Sequence, residues 1–240
     1  ASGPRGPLAT HGGLATCGGD VTRIIAGVVG GRRIAVPPSG TRPTSDRVRE
    51  ALFSSLEAGP GLRGAAVLDL CAGSGALGIE ALSRGAAHAL FVESDKRAAA
   101  TLRRNLADLG LAGVATLRVA TAGSVLAGPA PRSYDVVLID PPYAIADTEI
   151  AGWLRDAWAH GWLAGGAAGG AVGGGDSGGD SGPAGATVDG PAGATVVVER
   201  AARSGAFDWP EPLRAERDRR YGDTVLHWGR SMGLCYGSRL

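Results

Sequence analysis

Two stretches of this 240-residue chain place chemically capable residues at telling intervals. In "VLDLCAGSGALGIE", residues 67–80, Asp69 precedes Gly73-x-Gly75-x-x-Gly78, and Glu93 follows 20 residues after Gly73. Glycines at the mouth of a helix let the backbone approach a nucleoside cofactor, and an acid about 20 residues further on can bind ribose hydroxyls. In "LIDPPY", residues 138–143, Asp140, Pro141, Pro142 and Tyr143 combine a carboxylate, a stiff backbone carbonyl and an aromatic ring. Set where an apolar strand ends, at the edge where open α/β sheets place their ligands, this group looks like an active-site lip. Taken alone, the same four residues also fit a turn capped by Asp140 with Tyr143 packed on the core.

These residues need a scaffold, and the apolar pattern supplies one. Val136, Val137, Leu138 and Ile139 predict a strand buried on both faces that stops at Asp140, since Pro141 and Pro142 cannot extend a ladder. Earlier, "VTRIIAGVVGGRRIAVPP" predicts a hairpin about Gly30-Gly31 with arginines on one face. "PTSDRVREALFSSL" predicts a helix capped by Thr44, Ser45 or Asp46, with Val48, Leu52 and Leu56 on its inner face. Strand "AAVLDL", helix "GALGIEALSRG", strand "HALFVES", helix "KRAAATLRRNLADLG" and strand "ATLRVA" then alternate before "YDVVLID". A helix around "EIAGWLRDAWAHG" and late strands "ATVVVER" and "DTVLHWG" complete an α/β, doubly wound, mainly parallel sheet. In such sheets ligands bind at the carboxyl edge, where Asp69, Glu93 and Asp140 fall.

The domain reading follows composition. Residues 1–20 lack apolar periodicity and are expected to be a disordered extension or expression remnant; 21–58 form the hairpin and helix, 59–228 the main domain, and 229–240 a tail. Residues 164–194 are almost wholly Gly, Ala, Ser, Asp and Pro and are expected to be a flexible surface insertion. No window approaches 18 consecutive apolar residues, so neither a membrane span nor a secretory signal is expected, and the chain reads as cytoplasmic. Cys17, Cys71 and Cys235 form no C-x-x-C pair, and His11, His88, His160 and His227 lie outside the motifs, so no metal is expected. Residues 21–50 carry six arginines against Asp46 and Glu50, a crowding suited to phosphates, although Lys96 is the only lysine and arginine is favoured throughout.

The glycine loop alone suits either a dinucleotide or S-adenosylmethionine. A pyrophosphate needs the helix N-terminus and is repelled by an acid just before the loop, whereas a sulfonium with an α-amino group is attracted by Asp69. "DPPY" after "D-x-C-A-G-S-G" resembles the class I S-adenosylmethionine-dependent methyltransferases that act on exocyclic amino groups of bases. "TRIIAG", "GRRIAVPPSGTRPTSDRVREALF", "LDLCAGSGALGIEALSRGA", "FVESD", "RRNL", "DPPY" and "RRYGDTVL" together resemble the bacterial small-subunit rRNA guanine-N2 methyltransferases of the RsmD type, from about Val21 to Leu226.

The fold implied by that resemblance is a seven-stranded Rossmann-like methyltransferase sheet with a small N-terminal β-hairpin and helix. The implied cofactor is S-adenosylmethionine, held by Asp69, Cys71, Ala72, Gly73, Ser74, Gly75, Glu93, Ser94 and Thr121. Asp140, Pro141, Pro142 and Tyr143 would meet the target base, and Arg23, Arg32, Arg33, Arg42, Thr44 and Arg47 would dock 16S rRNA in an assembled or assembling small subunit. A monomer is expected. Where such enzymes commonly place an acid after the fourth strand to hold the adenine amino group, this chain reads "VATAGSV", and Ala120, Thr121 and Ala122 offer only a hydroxyl and backbone groups. An adenine-N6 or cytosine-N4 methyltransferase, an NAD(P)-dependent oxidoreductase and a non-catalytic RNA-binding module are the alternatives.

Overall fold

The computed structural model describes residues 21–37, 45–165 and 193–232. Expectations for residues 1–20, for Arg42 and Thr44, for most of the 164–194 insertion and for the tail beyond Met232 lie outside the described residues, as do Cys17 and Cys235.

The chain begins with an antiparallel pair, β1 (Val21–Arg23) and β2 (Arg33–Ala35), in which Arg23 faces Arg33. Ser45 caps α1 (Asp46–Ala58) by accepting from the Val48 N–H, and Val48, Leu52, Phe53 and Leu56 are buried along one stripe. There follow β3 (Ala66–Leu70), α2 (Ala76–Ser83), β4 (His88–Glu93), α3 (Lys96–Asp108) and β5 (Ala115–Val119). The short helix α4 (Ala122–Leu126) leads to β6 (Val136–Ile139), then α5 (Asp147–Ala159), β7 (Thr195–Ala201), β8 (Leu213–Tyr221) and β9 (Thr224–Ser231).

Seven strands form one sheet in the order β5-β4-β3-β6-β7-β9-β8. The pairings from β5 through β7 are parallel, and β9 is antiparallel to both its neighbours. From β3 the chain winds outward to β4 and β5, then returns to β6 on the other side of β3. The direction of winding therefore reverses between β3 and β6, and the crevice outside their carboxyl ends is the ligand position of such sheets.

Both faces are covered, as an inner parallel sheet requires. Ile24, Ile34, Leu52, Phe53, Leu102, Leu138, Val197, Leu226 and Trp228 bury one face beneath the hairpin, α1, α2 and α3. Leu68, Leu70, Val125, Val137, Ile150, Leu154, Val196 and Leu213 bury the other beneath α4 and α5. β6 is buried at all four positions, which is why its sequence is an unbroken apolar run rather than an alternation. β8 was not anticipated: it is an edge strand with six charged residues in "LRAERDRRY", exposed at most positions, so it carries no apolar signal.

The hairpin is fastened to α2. Glu80, fully buried, accepts the Ile25 N–H at 2.6 Å, the Ala26 N–H at 3.0 Å and the Arg84 Nε–H at 2.7 Å. The Val28 N–H donates to the Ser83 carbonyl, and a Cβ on Gly27, whose φ is +84°, would lie 1.8 Å from that oxygen. Only glycine allows this approach.

Candidate active site

Asp69 projects from β3 and is 1% exposed; its Oδ2 accepts the Gly78 N–H at 2.8 Å. That N–H is one of the orphan donors in the first turn of α2, so the chain's own carboxylate occupies a position a pyrophosphate would require. The turn between them passes through left-handed conformations at Cys71, Gly73 and Gly75. Gly75, the N-cap of α2, packs so closely on α3 that a Cβ would lie 2.2 Å from Leu102 Cδ1. Gly78 meets β4, where a Cβ would lie 2.3 Å from the Phe91 ring.

Glu93, at the end of β4, grips the loop with both oxygens. Oε2 accepts the Gly73 N–H and Oε1 the Asp95 N–H, each at 2.7 Å. Asp95 in turn caps α3 through the Arg97 and Ala98 N–H groups. From α3, Asn105 donates to the carbonyls of Ser74 and Ala35 and accepts the Ala35 N–H, so one buried amide joins the glycine loop to the hairpin.

Beyond β6, Asp140 and the two prolines turn outward, and the Pro142 carbonyl accepts the Ile145 N–H. Arg200 of β7 holds this lip, donating to the Ile145 carbonyl at 2.8 Å and pairing with Asp147 at 2.7 Å. Tyr143 is 58% exposed, so its ring is presented rather than packed in the core.

A cavity of about 290 Å³ unites these parts. Asp69, Cys71, Ala72, Gly73, Ser74, Glu93 and Ser94 line one portion, and Asp140, Pro141, Pro142 and Tyr143 line it as well. Thr22, Val36, Pro37, Arg49 and Glu199 supply the wall beside the hairpin and α1. Of the expected cofactor residues, Gly75 and Thr121 do not line it. Gly75 shapes the loop from behind, and Thr121 caps α4, its Oγ1 accepting the Ser124 N–H.

Asp69, Glu93, Asp95, Asp140 and Glu199 all bring carboxyl groups to this cavity. Burial pushes the Asp69 carboxyl up to about 8, opposed by the Gly78 N–H and reinforced by the charges of Asp140 and Glu93. Burial likewise pushes the Cys71 thiol up to about 12, with Glu93, Asp140, Asp69 and Glu149 adding to the effect, so this cysteine is a packing residue and no nucleophile. Such a donor set suits a ligand with a sulfonium and an ammonium group and repels phosphates. The fit to S-adenosylmethionine rests on this chemistry.

The arginines divide. Arg23 and Arg33 are register partners and share a face, but Arg23 pairs with Asp46 at 3.0 Å. Arg32, in the turn just before β2, donates to the Asp108 carbonyl at the end of α3. Arg33 and Arg47 are both exposed. Arg49, only 1% exposed, was not anticipated: its Nη2 donates to Thr22 Oγ1, the Arg23 carbonyl and Asp46, tying α1 to β1 beside the cavity. Among the described residues no group of His, Cys, Asp and Glu could hold a metal, and no helix is long and apolar enough to cross a membrane.

Residues 22–168 match the family model described as "Conserved hypothetical protein 95". The chain is 45% identical over 142 residues to ribosomal RNA small subunit methyltransferase D of Escherichia coli K12, spanning 56% of this chain and 70% of that one. It is 42% identical over 125 residues to the protein of the same name from Haemophilus influenzae, spanning 50% and 63%. The solved structure of the Escherichia coli protein yhhF superposes with a TM-score of 0.67 at 32% identity, covering 88% of this chain and 98% of that one.

Proposed function

This chain belongs to the ribosomal RNA small subunit methyltransferase D family, and on that premise we propose that it moves a methyl group from S-adenosylmethionine to the N2 amino group of a guanine in 16S rRNA. One observation carries the reading: the Asp140–Tyr143 lip and the carboxylate-lined glycine loop open into a single cavity. The loop residues would hold the cofactor in the same cavity in which the lip residues would hold the base. The partner is small-subunit rRNA, in an assembled or assembling subunit, and the enzyme works as a cytoplasmic monomer.

S-adenosylmethionine, when bound, supplies a methyl group on a cationic sulfur that departs as a neutral thioether. Asp69 and Glu93 hold the two ends of the loop, Asp69 offering negative charge to a cation and Glu93 offering acceptor capacity to ribose hydroxyls. The guanine amino lone pair is delocalised into the ring, so a flat amine is a poor nucleophile. Asp140 and the Pro141 carbonyl accept its two N–H hydrogens, which favours a pyramidal nitrogen with its lone pair aimed at the methyl carbon. Asp140 then receives the proton released from N2. Tyr143 stacks on the extruded base and excludes water from one side. Alignment supplies most of the rate enhancement.

The Asp69–Gly78 contact supports a cationic cofactor over a dinucleotide, which weakens the oxidoreductase reading. Small subunits from cells lacking this gene should accept tritium from labelled S-adenosylmethionine on incubation with the protein. Mass spectrometry of the digested RNA should find N2-methylguanosine. Finding N6-methyladenosine or N4-methylcytidine would transfer the assignment to the other amino methyltransferases, and oxidation of NAD(P)H without transfer would end it.

A further inference from the structure

Glu199 belongs to "VVVER", a stretch whose other features are those of an inner strand, and it is 8% exposed. A carboxylate at such a position costs free energy unless polar partners reward it. Its surroundings indicate what kind of partner.

β6 and β7 are parallel, with Ile139 opposite Val198. One step further along each chain come Asp140, just past the end of β6, and Glu199, still within β7. Glu199 is in register with Leu226, which belongs to the core beneath the hairpin and α1. Asp69 is in register with Leu138 of the same core, so Glu199 and Asp69 project from the same face of the sheet. Both line the cavity that Asp140, Pro141 and Tyr143 also border. Asp69 and Glu93 are engaged with the cofactor loop and the start of α3, whereas Glu199 stands on the β7 side of the lip, one step past the Ile139–Val198 pair.

The bases differ at the ring nitrogen beside the reactive amine. Guanine carries a hydrogen on N1 next to its N2 amino group. Adenine N1 and cytosine N3, the corresponding neighbours of their amino groups, carry lone pairs. A carboxylate at that point attracts the first and repels the other two. We propose that Glu199 is the guanine-selecting residue, accepting the N1–H while Asp140 and the Pro141 carbonyl hold the N2 amino group. The assignment rests on the guanine-N2 reading and explains how one "DPPY" lip is restricted to one base. A carboxylate has roughly four lone-pair positions, so Glu199 can take a base N–H in addition to its contacts within the protein.

2-Aminopurine tests this, since it keeps the 2-amino group and lacks the N1 hydrogen. Subunits reconstituted with guanine or 2-aminopurine at the target position would be compared for kcat/KM of methyl transfer. The wild-type protein should prefer guanine by about 10²-fold, the scale of a charge-assisted hydrogen bond to a buried group. Glu199→Ala should lose that preference by slowing guanine alone, with unchanged affinity for S-adenosylmethionine as evidence of an intact fold. A Glu199→Ala protein that keeps the wild-type ratio overturns the assignment while leaving the methyltransferase reading intact. Should the alanine variant fail to fold, Glu199→Gln preserves volume and replaces one acceptor with a donor; its ratio should fall about 10-fold, and an unchanged ratio again overturns the assignment. A wild-type protein that methylates neither base overturns both readings.

Discussion

Cofactor binding is expected to depend on pH, since Asp69 stands at the cofactor loop. With its carboxyl pushed up to about 8 by burial, it is ionised in roughly one molecule in ten at pH 7 and one in a hundred at pH 6. A sulfonium-bearing ligand favours the ionised form. Affinity for S-adenosylmethionine should therefore rise by up to about 10-fold per pH unit from pH 6 and level off above pH 8, a total on the order of 10²-fold. Calorimetric titrations at pH 6, 7, 8 and 9, in two buffers of different ionisation enthalpy, would give both affinity and the protons released, close to one at pH 6. Asp69→Asn should bind more weakly at pH 9 and lose this dependence. The apoprotein should show the opposite trend in stability. The folded carboxyl keeps its proton up to about 8 whereas an unperturbed aspartate in the unfolded chain loses it near 3.8, so the folded state binds more protons between these values and stability falls as pH rises through that window. Equal affinities at pH 6 and 9, with no proton released, would refute the claim that Asp69 faces the cofactor's charge.

Asp140→Ala should lower single-turnover methyl transfer by about 10²-fold or more with little change in S-adenosylmethionine affinity, the pattern of a contact made in the transition state. Wild-type transfer by this variant would reduce Asp140 to a turn cap. Arg33→Ala should weaken binding to the small subunit and flatten the log–log salt dependence by about 1, whereas Arg32→Ala should mainly loosen the contact with α3 seen at the Asp108 carbonyl; measuring binding across a salt series separates the two. In Gly78→Ala the new methyl would meet the Phe91 ring at 2.3 Å. Overpacking costs about 1–3 kcal/mol against a helix-propensity gain of about 1, so thermal denaturation should show a net loss of stability.

What could be read in advance was what repeats locally. The alternation of apolar runs located β3, β4, β6 and β7 because each is buried on both faces, and the cap candidates Thr44, Ser45 and Asp46 announced α1, with Ser45 taking the role. The glycine spacing and "DPPY" located two parts of one cavity because both depend on backbone geometry within a few residues. Contacts between distant residues left no such mark. Glu80 meets Ile25 across 55 positions and Asn105 meets Ala35 across 70, so nothing near either residue betrays its partner. Thr121 looks as suitable for a ligand as for a helix cap, and only the fold commits it to Ser124. β8 escaped notice because an edge strand can be highly charged and still pair with β9 through its backbone.

The fastening of the hairpin to α2 has a thermodynamic corollary. To lift away, residues 24–34 would have to strip two amide donors from the buried Glu80 carboxylate and expose Ile24 and Ile34 to water. The amides of Ile25 and Ala26 should therefore exchange with solvent only when the sheet itself opens, which makes this first segment part of the same cooperative unit as the domain it precedes. A wall fastened in this way is already ordered, so a substrate held against it would spend no binding free energy on ordering it.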